Sequence, residues 1–240
     1  MATFELQVEG TTGLTISSSD TNPTQAQLTE FLKDGVIDVT NRIVRIRPQD
    51  RDHFTRKTAS DSQGVEFGRA DIISVAREAN VDGSTDGSPS WRNCRKIPVY
   101  LQSRVVDTDS LHFASIYNPV YTLDDTGVVN VYPIPSSNNG IEVYYINNTP
   151  VNGSGVSLAF SHDDIKYFPS SKIYLVVLYA SIKSLEQKMG DYAHSEEDIE
   201  LVKAMTSNIS ALKVQYESAF EAMVPPQQRK QAVQQDRRRG

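Results

Sequence analysis

The residues with the means to do chemistry in this chain are four histidines, one cysteine and a few clusters of carboxylates. His53, His112, His162 and His194 are scattered, and none stands in the helical pairing with a carboxylate that a zinc hydrolase uses to hold its metal and activate water. His162-Asp163-Asp164 has the donor types for a cation, but the same three residues suit the polar start of a helix. Asp50, Asp52 and His53 lie among Arg47, Arg51 and Arg56 and read as a solvated loop of mixed charge. Asp82 and Asp86 sit in a glycine-rich stretch that misses the calcium-loop spacing and its closing Glu, so a turn is expected there. Cys94 has no His/Asn context; Arg92 and Arg95 beside it would lower its pKa, but nothing else prepares it as a nucleophile. Trp91, the single tryptophan, reads as a packing anchor. No phosphate-cradling GxxxxGK[ST], no dinucleotide GxGxxG after a strand and no GxSxG elbow occurs. The expectation is a protein without catalytic residues, cofactor or metal.

Tyrosine is the unusual count, eleven in all. Tyr100, Tyr117, Tyr121, Tyr132, Tyr144 and Tyr145 fall in one middle region, where an apolar ring with a polar hydroxyl suits either a strand core or a protein interface. Charge is also uneven. Residues 225–240 hold five Lys/Arg and one Asp, +4, which leaves the preceding 224 residues at −10 within the total of −6. An acidic body is not a general duplex binder, which needs a positive face on the folded part. The tail is the candidate partner-binding segment, through Arg229, Lys230, Arg237, Arg238 and Arg239. Apart from Ala232 and Val233 it has nothing apolar to bury, so it is expected to be disordered alone and to order on a partner. A solubilising end and a DNA contact remain the alternatives.

The elements that must position these residues follow from periodicity. At 240 residues, 38% hydrophobic and 22% charged, the chain has an ordinary globular composition. The single cysteine excludes an internal disulfide and suits a reducing cytosol. The longest apolar run, Ile173 to Ala180, is far short of a bilayer span, and the N-terminus has neither a basic start nor an apolar signal core, so the product is expected to stay where it is made. That run is apolar nearly all round and must be covered on all sides. Phe168-Pro169-Ser170-Ser171 predicts its helix start with a serine cap, and Gly190 its end. Ser195 and Asp198 then predict a capping box for a second helix, whose stripe Ile199, Val202, Met205, Ile209, Leu212, Tyr216, Phe220 and Met223 runs to Pro225. Asn22-Pro23-Thr24-Gln25 predicts the start of an N-terminal helix with Leu28, Phe31, Leu32, Val36, Val39 and Ile43 on one face, and Gly35 there at a close approach. Three helices cannot cover the apolar run, which points to further cover from other copies.

Before and between these helices the period changes. Phe4, Leu6 and Val8 alternate, and residues 1–21 read as an arm with one marginal strand. Alternating or β-branched runs at 71–76, 99–106, 113–117, 128–132, 141–146 and 156–160 are separated by turn clusters such as Asp82-Gly83, Asp124-Asp-Thr-Gly127 and Asn138-Asn-Gly140. The fold class expected is α+β, a helical bundle from the N-terminal helix and the C-terminal helical hairpin, residues 22–46 and 163–224, with an antiparallel β domain inserted at 47–162 and a basic flexible tail at 225–240.

Several stretches carry a resemblance. Trp91-Arg-Asn-Cys-Arg95, Leu111-His-Phe-Ala-Ser-Ile-Tyr-Asn-Pro-Val-Tyr121, Val131-Tyr-Pro-Ile-Pro135, Ile141-Glu-Val-Tyr-Tyr145 and Ile165 to Leu185 resemble virion structural proteins of marine tailed phages, including cyanophages, over roughly residues 65–190. The layout is similar to the head-to-tail adaptor (connector) family, the tail tubular A type of short-tailed phages. There a strand ending in a Tyr-Pro-x-Pro turn leads to a partner strand and then to a Pro-started helix, as Tyr132-Pro-Ile-Pro135, Ile141–Ile146 and Pro169 do here. The basic tail and the N-terminal arm depart from that pattern. The resemblance implies a structural protein of the virion neck, a homo-oligomeric ring commonly of twelve copies that docks under the portal and lines the DNA exit channel. Its partners would be the portal protein and a downstream tail or nozzle protein, with DNA passing without specific binding and no membrane involved. The basic tail would then be a portal anchor. The alternatives are a neck, baseplate or fibre-attachment component and, against the absence of any acid/base pair, an enzyme acting on the host envelope.

Overall fold

The computed structural model describes residues 2–18, 21–67, 70–79, 90–136, 139–146, 149–195 and 199–224. In chain order the elements are α1 (Phe4–Thr12), α2 (Gln25–Ile46), β1 (Thr55–Ser60), β2 (Val65–Glu66), β3 (Ile72–Glu78), β4 (Trp91–Asn93), β5 (Arg95–Lys96), α3 (Gln102–Val105), β6 (Val120–Leu123), β7 (Val128–Tyr132), β8 (Ile141–Ile146), α4 (Ile173–Ser195) and α5 (Ile199–Met223). Short 3-10 turns lie at Pro48–Phe54, Val99–Leu101 and Ser170–Lys172. The chain is α+β and divides into two units, residues 1–54 with 149–240, and Thr55–Asn148.

In the first unit α1, α2 and α5 all pack on α4. From Leu175 to Leu185 every α4 residue is buried except Tyr179 and Lys183, which are half-buried. The cover that the sequence left unaccounted for comes from the N-terminal segment, which is a helix and not a strand. Thr3 caps it at the Leu6 amide, Gly13 ends it with a left-handed φ of 71°, and the Gly13 N–H donates to Glu9 O at 2.8 Å. Phe4 and Val8, four residues apart and so on one helical face, are both fully buried, while Leu6 between them is exposed. Three apolar residues at alternate positions satisfy either period over so short a span, and packing against α4 decided it.

Two helix starts also differ from expectation. α2 begins two residues later than the proline suggested: Thr24 is the N-cap and Gln27 closes the capping box, with Thr24 N donating to Gln27 Oε1 at 2.8 Å. The start of α4 carries no serine cap; Pro169 precedes a 3-10 turn at Ser170–Lys172 that runs into the helix. Gly190 does not stop α4, which continues to Ser195. The Ser195–Asp198 capping box involves residues 196–198, which lie outside the described residues.

Gly35 is where α2 meets α4 closely: a Cβ there would stand 3.0 Å from Tyr179 Cδ1 and 3.3 Å from Val176 Cγ1. Ile209, Leu212, Tyr216, Phe220 and Met223 form the buried stripe of α5. Arg42 clasps α2 to α5, with Nε 3.0 Å from Asp38 Oδ2, a terminal nitrogen 2.7 Å from Glu217 Oε1, and its guanidinium over the Tyr216 and Phe220 rings at 5.2 and 5.3 Å. Tyr216 Oη donates to Asp38 Oδ2 at 2.6 Å, and burial together with that carboxylate pushes the phenol's pKa up.

The second unit contains two four-stranded sheets, in the orders β1-β8-β3-β4 and β2-β7-β6-β5. Val143 on β8 stands opposite Thr58 of β1 and Val75 of β3, and Val129 on β7 opposite Val65 of β2 and Leu123 of β6. Val75, Ile141, Val143 and Tyr145 from one sheet pack with Tyr121, Val129 and Val131 from the other in a single buried cluster, the arrangement of a sandwich. All pairings are antiparallel except β5 with β6, which is parallel. β1 and β4, polar strands at the sheet edges, give no apolar alternation to find in the sequence. Three expected strands are absent: 99–106 is a 3-10 turn followed by α3, 113–117 is a turn with the isolated bridge Ser115–Asn118, and 156–160 shows only the isolated bridge Val151–Ser157.

Candidate partner-binding surface

The five cationic residues singled out in the tail, Arg229, Lys230, Arg237, Arg238 and Arg239, lie outside the described residues, as do Asp82 and Asp86. Among the described residues the other chemistry-bearing side chains do not gather into a metal-binding group: no three His, Cys, Asp or Glu lie where they could hold an ion together. His162 accepts from the Ala159 amide through Nδ1 at 3.1 Å, a local turn contact.

Cys94 corrects an expectation. It is partly buried against the sandwich core, and desolvation pushes its thiol up to about 12 even though the charge of Arg77 acts the other way. The neighbouring Arg92 and Arg95 are both exposed and do not activate it, so at neutral pH the group is a thiol and a poor nucleophile.

What the fold does build is a surface on the second unit, over residues 98–119. Pro98 starts a 3-10 turn in which the Leu101 amide donates to Pro98 O at 3.0 Å, and α3 continues it. Ala114 N donates to Val105 O at 2.9 Å and closes the segment on itself, with turns at 107–110 and 115–118 inside the closure and beyond it. Leu101, Val105 and Ala114 point inward and join Ile97, Val120 and Tyr132 in a small second core. With those inward positions taken, Val99, Tyr100, Val106, Leu111, Phe113 and Tyr117 stay outside; Leu111 is fully exposed, Tyr100 is 80% exposed and Tyr117 63%.

The neighbouring turn is tied to the same core. Gln102 Nε2 donates to Tyr132 Oη. Arg77, only 3% exposed on β3, donates through Nε to Pro133 O at 2.8 Å, through a terminal nitrogen to Ile134 O at 3.3 Å, and through the other to Glu78 O at 2.6 Å. Burial lowers the Arg77 pKa, but a guanidinium starts so high that it remains a cation. The turn it fixes leaves Ile134 exposed.

The middle-region tyrosines therefore divide. Tyr121, Tyr132 and Tyr145 are core, Tyr144 is half-buried with its hydroxyl donating to Glu142 Oε2 at 2.8 Å, and Tyr100 and Tyr117 are outside. Reading 99–106 as a strand concealed this surface. The signal that could have found it is the lack of any single period through 99–117, with large apolar residues where neither a strand nor a helix would turn them all inward. The arrangement offers shape and apolar area, not reactive groups, and what it can do is bind.

Compared with known proteins, the chain matches no protein-family model and no curated protein.

Proposed function

We propose that this protein is a structural component of a tailed-phage virion, a head-to-tail adaptor subunit that forms a ring under the portal and lines the DNA exit channel. The reading rests on the resemblance carried by Tyr132-Pro-Ile-Pro135, Ile141–Ile146 and the Pro169-started helix. The observation that best supports it is the division of the chain, in which N- and C-terminal segments share a unit packed around α4 while residues 55–148 form another. That division supports reading the fold as a helical bundle from the N-terminal helix and C-terminal hairpin with a β domain inserted. An acidic body suits a channel wall that DNA must slide past without sticking, and the basic tail suits an anchor to the portal. Because α1 supplies cover for α4, that helix does not itself call for further copies.

The second reading, a neck, baseplate or fibre-attachment component, is favoured by the exposed apolar surface at 98–119, which suits a protein partner away from any DNA path. Mixing the full chain with portal and measuring the mass of the complex separates the two. An adaptor gives a ring matching portal symmetry, and deleting residues 227–240 weakens it in a salt-sensitive way while leaving helicity unchanged. A trimer, or no association with portal, overturns the adaptor reading.

A further inference from the structure

The stretch Trp91–Lys96 holds two edge strands in succession. β4 closes one end of the first sheet and β5 one end of the second, and only Cys94 separates them, so one side of the sandwich is bordered by a single continuous run of chain. Trp91, Arg92, Asn93, Arg95 and Lys96 are all exposed. The hydrogen bonds fix which backbone groups that run leaves outside. Cys94 N donates to Val75 O at 2.7 Å and Ala79 N to Ser90 O at 2.8 Å, so on the antiparallel β3–β4 ladder residues 90, 92 and 94 turn toward β3, and Trp91 and Asn93 turn their N–H and C=O to the open edge. On the other sheet Arg95 N donates to Pro119 O at 3.0 Å and Ile97 N to Tyr121 O at 2.9 Å, which leaves the Lys96 backbone facing outward in its turn. Open donors and acceptors along an edge are a template for an extended chain.

The charge on the run selects which chain. Arg92, Arg95 and Lys96 are of one sign, and among the described residues none of them meets a carboxylate. The opposite edge of the first sheet differs, since Lys57 of β1 is neutralised by Glu142 at 2.7 Å. Two copies of the run side by side would bring like charges together, so the edge refuses its own kind and any basic strand. An acidic strand is the class that it attracts. A nucleic acid has the negative charge but no peptide N–H and C=O at strand spacing to answer Trp91 and Asn93, and the acidic body repels it.

We propose that Trp91–Lys96 is a docking edge for an extended acidic segment of a partner protein, which adds a strand along the run and brings its carboxylates to Arg92, Arg95 and Lys96. At ~3.3 Å per residue the contact is about 20 Å long. The backbone supplies the bonds and the cations supply the choice of partner, so the pairing weakens with salt. It neither needs nor excludes a ring under a portal.

The test is fluorescence anisotropy of the full chain with two short labelled peptides, one alternating Glu with Val and Thr, the other alternating Lys with Val and Thr. The glutamate peptide is expected to bind and the lysine peptide not. Arg92→Glu, Arg95→Glu and Lys96→Glu made together are expected to invert that preference, because the three positions stay on the edge while their sign changes. Asn93→Pro removes an outward N–H and none of those bonded to β3, an orientation in which an edge strand tolerates proline, and is expected to weaken the glutamate peptide on the order of tenfold. All four positions are exposed, so both variants should melt as the wild type does. Hydrogen exchange gives the readout that a loose electrostatic contact would not move: the Trp91 and Asn93 amides should gain protection when the glutamate peptide is added. No binding of that peptide, a preference that survives the charge reversal, or Trp91 and Asn93 amides that stay unprotected overturns the docking edge. So does a thymidine oligonucleotide that binds more tightly than the peptide and is lost on the same charge reversal. Ring formation with portal, measured separately, bears on the adaptor reading alone.

Discussion

α4 and the 98–119 segment are both rich in large apolar residues, yet one is enclosed and the other leaves most of them in solvent. α4 gains its enclosure from three helices of the same unit, one of which, α1, comes from a segment too short for its period to be read with certainty from sequence. The 98–119 segment closes on itself and buries only the side chains that reach Ile97, Val120 and Tyr132. Apolar residues in a sequence record a demand for cover, and the chain meets that demand at α4 but not at 98–119. The part left unmet is where a partner belongs.

The sharpest break of this comparison pairs two substitutions. Val177→Asp puts a carboxylate among buried residues of α4 and is expected to cost about 3–5 kcal/mol at neutral pH. Burial raises that carboxyl's pKa in the folded state, so the loss grows as pH rises through the unfolded-state value and shrinks below about pH 4. Leu111→Asp, at a fully exposed position, should change monomer stability by no more than about 0.5 kcal/mol. Denaturant unfolding of both variants checks the contrast, and equal losses would mean that the 98–119 face is not an exterior.

Arg77→Ala comes next. It leaves the carbonyls of Pro133, Ile134 and Glu78 without their shared donor and is expected to cost about 2–4 kcal/mol. Hydrogen exchange should show the Ala114 amide, bonded to Val105 O, losing protection while α4 amides keep theirs. Unchanged protection at Ala114 would separate the turn from the loop it is said to support.

The enclosure of α4 has a flaw that a smaller effect exposes. Ser181 and Ser184 are fully buried, and among the described residues their hydroxyls have no hydrogen-bond partner. Ser181→Ala and Ser184→Ala should leave stability unchanged or raise it by up to about 1 kcal/mol, read as a shift in the denaturation midpoint. A clear loss in both would mean that these hydroxyls bond to groups in solution.

The smallest effect is at the β6–β7 turn. Asp124 is held below the usual carboxylate range first by the Val128 amide and then by the Thr126 hydroxyl. A depressed folded-state pKa gives stability that is present above the unfolded value, about 3.9, and is lost as pH falls through the folded value. Asp124→Asn should lower Tm slightly at pH 7 and flatten its decline in acid; an unaltered acid limb would show that the turn does not contribute.

Long or repeated patterns were legible in the sequence. The apolar stripe of α2, the all-round run of α4, the stripe of α5, and the strands Val128–Tyr132 and Ile141–Ile146 all stand where period put them, because six or more apolar residues at helical spacing leave no second solution and these two alternations, unlike those at 99–106, 113–117 and 156–160, find strands to pair with on both sides. Short stretches did not resolve. Phe4, Leu6 and Val8 fit both periods; Thr55–Ser60 became a strand through its backbone bonds to β8 with hardly an apolar residue of its own; and Cys94 took its high pKa from burial, not from its sequence neighbours. That α4 must be enclosed and that tyrosines crowd the middle of the chain follow from residue order alone. That α1 joins α2 and α5 in enclosing α4, and that Tyr100 and Tyr117 stand outside while Tyr121, Tyr132 and Tyr145 do not, follow from packing in three dimensions, because burial depends on neighbours that lie far away along the chain and leave no local trace.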